Sequence, residues 1–180
     1  MRVVAIVPAY NEEKTVGKVV EAIRSASVIS EVLVVSDGSN DSTAEVARGA
    51  GANVVELTRN VGKGGAMKAG TENTRADVFV FLDADLIGLR ARHVESLVEP
   101  VVDGTADMSV GVFERGRGLT DNAQVIAPQL SGQRAVRAEV LAGIPDMEIA
   151  RFGVEIALTR YARREGIRVV EVPLEGLTHL

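Results

Sequence analysis

Four short apolar runs rich in β-branched residues alternate with stretches of helical spacing, and that alternation leaves few folds open. RVVAIV (Arg2–Val7), EVLVVS (Glu31–Ser36), NVVEL (Asn53–Leu57) and DVFVFL (Asp77–Leu82) each read as a buried strand, the first stopped by Pro8. After the first run, Val16, Val19, Val20 and Ile23 fall at i, i+3, i+4 and i+7, the spacing of one helical face. DGSNDST (Asp37–Thr43) is turn chemistry leading into a second helix, and NVGKGGAMKAG (Asn60–Gly70) opens a third. A helix near Arg92–Val102 and an apolar run, Met108–Phe113, follow. The pattern predicts an α/β fold: a mainly parallel, doubly wound sheet with helices on both faces.

The second half is less regular. SGQRAVRAEVL (Ser131–Leu141) reads as a loop feeding a short helix. FGVEIALTRYARREG (Phe152–Gly166) reads as a helix with Val154, Ala157, Leu158 and Tyr161 on one face and Gly166 as its C-cap. RVVEVPL is a last strand, ending in EGLTHL.

In open parallel sheets, ligands bind outside the carboxyl ends of the strands. The residues just past the four strands are Tyr10–Asn11–Glu12, Asp37, Asn60–Lys63 and Asp83–Asp85, so four strand exits supply polar groups to one edge. The most informative of these is VFVFLDADLIG (Val78–Gly88), where a buried strand ends in two carboxylates one residue apart. Close carboxylates repel, and one would take up a proton unless a cation supplies charge. Hard Mg²⁺ or Mn²⁺ prefers oxygen ligands, takes one or two protein carboxylates, and fills its remaining positions with water and phosphate oxygens. The bland alternative is a strand-ending turn. A third reading is a haloacid-dehalogenase-like phosphatase, whose nucleophile is the first Asp of such a pair. That family carries the pair on its first strand, whereas here it follows the fourth and Leu86 comes next.

NVGKGGAMKAG fits neither G-x-x-x-x-G-K-[ST] nor G-x-G-x-x-G. Its glycines still expose backbone N–H groups at a helix start, and Lys63 adds charge, which suits an anion. DGSNDST mimics the start of a calcium loop, but its glycine comes second rather than sixth and Arg48 fills the twelfth place.

Composition removes other classes. With 180 residues, 46% hydrophobic and 25% charged, the chain reads as one soluble globular domain. A net charge of -5 without a basic block argues against nucleic acid as a partner. The absence of cysteine excludes disulfides, zinc–cysteine sites, iron–sulfur clusters and thiol nucleophiles, and fits a cytoplasmic setting. No apolar run reaches the roughly 18–20 residues that span a bilayer. MRVVAIVPAYNEE is a strand and not an address tag.

IVPAYNEEKTVGKVV, VLVVSDGSNDST, NVGKGGAMKAG and FLDADL, in that order and spacing, resemble the family 2-like glycosyltransferases with a GT-A fold, over roughly Val3 to Val112. The resemblance implies a single GT-A domain over 1–180, with 1–112 as the nucleotide-sugar-binding half and 113–180 as the acceptor-side half. It implies that Pro8, Ala9, Tyr10 and Glu12 line the base and ribose pocket, that Asp37 bonds the base, and that Lys63 sits near the nucleotide. Asp83 would hold ribose or a metal-bound water, with Ala84 beside it, and Asp85 would ligate Mg²⁺ or Mn²⁺.

The second half is similar to two branches. GVFERGRG and SGQRAVRAEVL resemble the polyprenyl-phosphate sugar transferases, in which Arg115, Arg117 and Arg134 would meet an acceptor phosphate. RFGVEIAL and the terminal LTH resemble glucosyl-3-phosphoglycerate synthase, in which Glu155 would face the sugar or acceptor and His179 would complete the metal site. An inverting enzyme needs a carboxylate base, for which Glu148, Asp146 and Glu155 are candidates, or an acceptor phosphate that needs none. Inversion and retention both stay open. The expected partners are a UDP- or GDP-sugar donor and a small phosphorylated or lipid-phosphate acceptor, the latter reached by peripheral membrane contact. A chain stopping just after His179 leaves room for a partner subunit or second copy at the acceptor. The alternative from another class is a non-catalytic nucleotide-sugar-binding subunit, against which the intact D-x-D pair argues.

Overall fold

The structure is a computed structural model that describes residues 1–113, 132–144 and 154–180. A seven-stranded sheet runs in the order β3-β2-β1-β4-β7-β6-β8. Its strands are β1 (Val3–Ala9), β2 (Glu31–Asp37), β3 (Asn53–Leu57), β4 (Val78–Phe81), β6 (Met108–Phe113), β7 (Arg134–Arg137) and β8 (Val169–Leu174). A second, two-stranded sheet pairs β5 (Leu86–Ile87) with β9 (Thr178–His179). Among the described strands of the large sheet, β7 alone runs against the rest, antiparallel to both β4 and β6.

Period-2 alternation divides the apolar residues of β1 between two cores. Val3, Ala5, Val7 and Ala9 face one layer, with α1 (Val16–Arg24), α2 (Thr43–Gly49) and α4 (Ala91–Val102). Val4 and Ile6 face the other, with α3 (Lys63–Asn73), α5 (Ala138–Ala142) and α6 (Val154–Glu165). Both faces are covered, which is why the strands read as near-continuous apolar runs. The residues placed on one face of the first helix, Val16, Val19, Val20 and Ile23, are all fully buried. α6 closes at Gly166 (φ 68), where the Ile167 N–H reaches the Ala162 carbonyl, a left-handed C-terminal cap.

Two expectations change. Pro8 does not stop the first strand, because β1 continues to Ala9 with Pro8 opposite Val35. The Ile6 carbonyl accepts from the Leu82 N–H, so Ile6 and, two residues on, Pro8 turn their backbone groups toward β4. The β1–β4 register ends at Ile6–Phe81, so the N–H that proline lacks has no ladder partner to lose. SGQRAVRAEVL, expected to be a loop before a helix, instead holds β7, which wedges between β4 and β6 before α5 begins.

The strand order reverses direction between β1 and β4, since β2 and β3 lie on one side of β1 and β4 on the other. Such a switch point opens a crevice at the carboxyl ends of the two strands. Here those ends are Pro8–Tyr10 and Asp83–Asp85.

Candidate functional site: an acidic cavity at the switch point

A cavity of about 450 Å³ sits at this crevice, lined by residues from every strand exit singled out above, among them Pro8, Ala9, Tyr10, Glu12, Asp37, Lys63, Asp83, Ala84, Asp85 and His179. The loops that shape it are stitched together locally. Asn11 adopts φ 56, which asparagine tolerates, and its side-chain oxygen accepts from the Asn40 N–H at 2.9 Å. The Glu12 N–H donates to Thr43 Oγ1 at 2.8 Å, and Glu13 accepts from the Ser42 N–H at 3.0 Å. The polar residues after β1 and β2 thus hold each other in place.

Asp37 is buried, and its two carboxylate oxygens accept from the backbone N–H groups of Val61 (2.8 Å) and Gly62 (2.9 Å). It fixes the turn that starts α3, and so the position of Lys63. The Lys63 ammonium lies 2.6 Å from Asp83 Oδ1. Asp85 Oδ1 lies 2.9 Å from His179 Nδ1. The β5–β9 ribbon makes that approach possible, because it sets Leu86 opposite His179, and the Leu180 N–H donates to the Asp85 carbonyl. The imidazole ring also packs against Phe113, with ring centroids 5.1 Å apart.

One atom each from Asp83, Asp85 and His179 fall within 4.8 Å of one another. Among the described residues, four carboxylates (Glu12, Asp37, Asp83, Asp85) line the cavity against one ammonium, that of Lys63. Burial pushes the Glu12 carboxyl above its ordinary range, and the charges of Asp85, Asp41 and Asp83 push the same way against a hydrogen bond from Thr15. A site this acidic repels a bare diphosphate and attracts a divalent cation. Two carboxylates and one imidazole suit Mn²⁺ or Mg²⁺.

The structure brings together every donor-side residue expected from the sequence, and it adds one that was missed. Gln133, buried just before β7, accepts from the Asp83 N–H (3.0 Å) and donates to Asp83 Oδ2 (2.9 Å). The signal was the run SGQ, which reads as a loop only until β7 is placed beside β4.

Arg134 lies elsewhere. It is 1% exposed and lines a second cavity of about 300 Å³, between β6, β8 and α6, where its guanidinium contacts Met108 Sδ and Thr159 Oγ1. Consecutive residues of a strand point to opposite faces, so Gln133 toward Asp83 turns Arg134 away from it. Arg115, Arg117, Asp146 and Glu148 lie outside the described residues, and for Glu155 only the backbone in α6 is described. No helix among the described residues is long and apolar enough to cross a membrane.

Comparison with known proteins agrees with this geometry. Glucosyl-3-phosphoglycerate synthase from Mycobacterium tuberculosis, crystallised with Mn²⁺, UDP-glucose and phosphoglyceric acid, superposes with a TM-score of 0.81 at 28% identity. The match covers 99% of this chain and 72% of that one. The same enzyme with Mg²⁺ and UDP gives 0.82 at 27% identity, covering 99% and 71%. The 4,4'-diaponeurosporenoate glycosyltransferase of Staphylococcus aureus (strain USA300) is 39% identical over 98 residues, which are 52% of this chain and 26% of that protein. The chain therefore spans about a quarter of the length of the curated relatives it matches. The family model "Glycosyl transferase family 2" matches residues 4–153, and the chain belongs to that family, with its GT-A fold.

Proposed function

We propose that this chain transfers a sugar from a nucleotide-diphospho-sugar, with a divalent cation held by Asp85 and His179 and assisted by Asp83. The observation that carries the reading is the meeting of Asp83, Asp85 and His179 from two distant segments inside an acidic cavity at the switch point. The bound cation would neutralise the diphosphate and, as a Lewis acid, stabilise the departing nucleoside diphosphate. Pro8, Ala9 and half-exposed Tyr10 offer an apolar wall for base and ribose. Asp83, held by Lys63, presents a fixed carboxylate to ribose or to a metal-bound water. Lys63 at the first turn of α3 adds positive charge beside the helix N-terminus, where an anionic phosphate is favoured. The imidazole leans the choice of metal toward Mn²⁺ over Mg²⁺.

Likeness to the mycobacterial synthase favours a uridine donor and a small phosphorylated acceptor. In this reading residues 1–112 hold the donor and 113–180 supply the acceptor side, with Glu148 and Glu155 as candidate bases and Arg115 and Arg117 as phosphate contacts. Arg134, the third arginine expected at the acceptor, is buried in the second cavity beside α6.

Calorimetric titration of the purified chain with UDP and GDP, each with and without Mn²⁺, tests the reading. Mn²⁺-dependent binding of UDP is expected. A folded chain that binds neither nucleotide overturns it. Turnover of the bound donor by the same preparation then separates an enzyme from a binding subunit.

A further inference from the structure

We propose that Gln133, with Gly132 beside it, is a positioning residue that orients the Asp83 carboxylate for the donor. The inference rests on the donor-site reading above and concerns residues 50 positions along the chain from the D-x-D pair.

Three observations carry it. First, Gln133 grips Asp83 at two points, accepting from its backbone N–H and donating to Oδ2. A side-chain amide carries its acceptor and its donor on separate atoms, so it can meet a backbone N–H and a carboxylate oxygen together. Second, Lys63 takes the other oxygen, Oδ1, so the carboxylate plane is fixed from two directions and its rotation is blocked. Third, the approach is possible only because residue 132 has no side chain. A Cβ there would stand 2.4 Å from Lys63 Nζ and 2.7 and 2.9 Å from the two Asp83 oxygens. Those three contacts are all at side-chain ends, so a methyl group at 132 would push apart the ion pair and leave the backbone where it is.

The arrangement separates the two aspartates by task. Asp83 is held by donors from α3 and from the residue just before β7, which fix the orientation of its carboxylate. Asp85 meets only the imidazole of His179 among the hydrogen bonds of its side chain found in the described residues. β7 therefore contributes to the site although it adds no group of its own to the cavity wall. Its antiparallel insertion next to β4 sets Arg134 opposite Phe81, which carries Gln133 up to the residue where β4 ends and the D-x-D begins.

The test compares three variants with the parent chain. Gln133→Met keeps the shape of the side chain and removes both hydrogen bonds, and Gly132→Ala wedges the ion pair. Val136→Ala, in the adjoining strand β7 and fully buried, lowers stability without touching Asp83. Each is titrated with UDP in the presence of Mn²⁺, well below its melting temperature. Gln133→Met and Gly132→Ala should each bind about tenfold more weakly, the loss expected from one or two hydrogen bonds to a charged group. Val136→Ala should bind as the parent does despite its lower Tm. Unchanged affinity in the first two, or an equal loss in Val136→Ala, overturns the positioning role. If the parent itself binds neither UDP nor GDP with Mn²⁺, the donor-site reading fails and this inference falls with it.

Discussion

The two banks of the cavity are built in different ways. On one bank, Pro8, Ala9, Tyr10, Glu12, Asp37, Lys63, Asp83 and Asp85 all lie at or just past the ends of adjacent parallel strands or open the helix after one. Burying β1, β2 and β4 between two helical layers places these residues at one edge without any further instruction. On the other bank, Gln133 and His179 arrive from segments 50 and 94 residues away from their aspartate partners. His179 is held by a ribbon of two residues on each side. The first bank is positioned by the core strands beneath it, while the His179 side of the second rests on a short two-stranded ribbon. On the function proposed above, metal affinity can therefore be changed at His179 with little cost to stability.

Removing a ligand from the first bank gives the largest expected effect. Asp85→Ala should abolish Mn²⁺-dependent UDP binding, a loss of at least about a hundredfold, because the remaining groups offer a poor oxygen set for a hard cation. Its Tm should hold or rise, since one of several repelling carboxylates is gone. Mn²⁺-dependent affinity equal to the parent's would break the claim that this bank carries the metal.

His179→Ala probes the other bank, and a smaller loss, about tenfold in Mn²⁺ affinity, is expected from deleting the one nitrogen donor among the three described groups. A change as large as that of Asp85→Ala would show that the banks contribute equally. Gly88→Ala sharpens the same point at a distance. Gly88 has φ 84, and a Cβ there would come 2.6 Å from the Gly176 carbonyl oxygen, in the turn before β9. The backbone of the ribbon must then shift and take His179 with it. Gly88→Ala should therefore weaken Mn²⁺ binding by no more than His179→Ala does, and combining the two should add little further loss.

The difference between the banks is also the difference between what could and could not be read from the sequence. Strand exits of a parallel sheet are legible because hydrophobic periodicity locates the strands and topology does the rest, so Asp37, Lys63, Asp83 and Asp85 were found by their positions after apolar runs. β7 was missed because RAVR is a four-residue strand that starts and ends in arginine, with Arg134 buried against the rule that charge marks a surface. Pro8 misled for the opposite reason. A local rule that proline breaks a central strand gave way because the neighbour β4 ends first. His179 was reachable only through the family resemblance, since nothing in two residues of ribbon announces a strand.

The smallest expected effect concerns Glu12, where the first bank meets its own charge. Folded Glu12 keeps its proton to higher pH than the unfolded chain does, because burial and then the charges of Asp85, Asp41 and Asp83 disfavour its ionised form. The native state therefore binds more protons than the unfolded state over a window that begins near the ordinary value of 4.5 and extends upward to the raised one. Stability falls as pH rises through that window and the penalty is constant above it. Glu12→Gln keeps an acceptor for Thr15 Oγ1 and removes the charge. Its Tm advantage over the parent should be smallest below the window, grow through it, and level off at about 1–2 °C near neutral pH. Mn²⁺ should shrink the advantage without erasing it, because a cation at Asp83 and Asp85 offsets two of the charges that raise Glu12 and leaves its burial, the larger cause, in place. An advantage independent of pH would mean that Glu12 does not feel the charge of its bank, and a Tm difference untouched by Mn²⁺ would place the cation away from these aspartates.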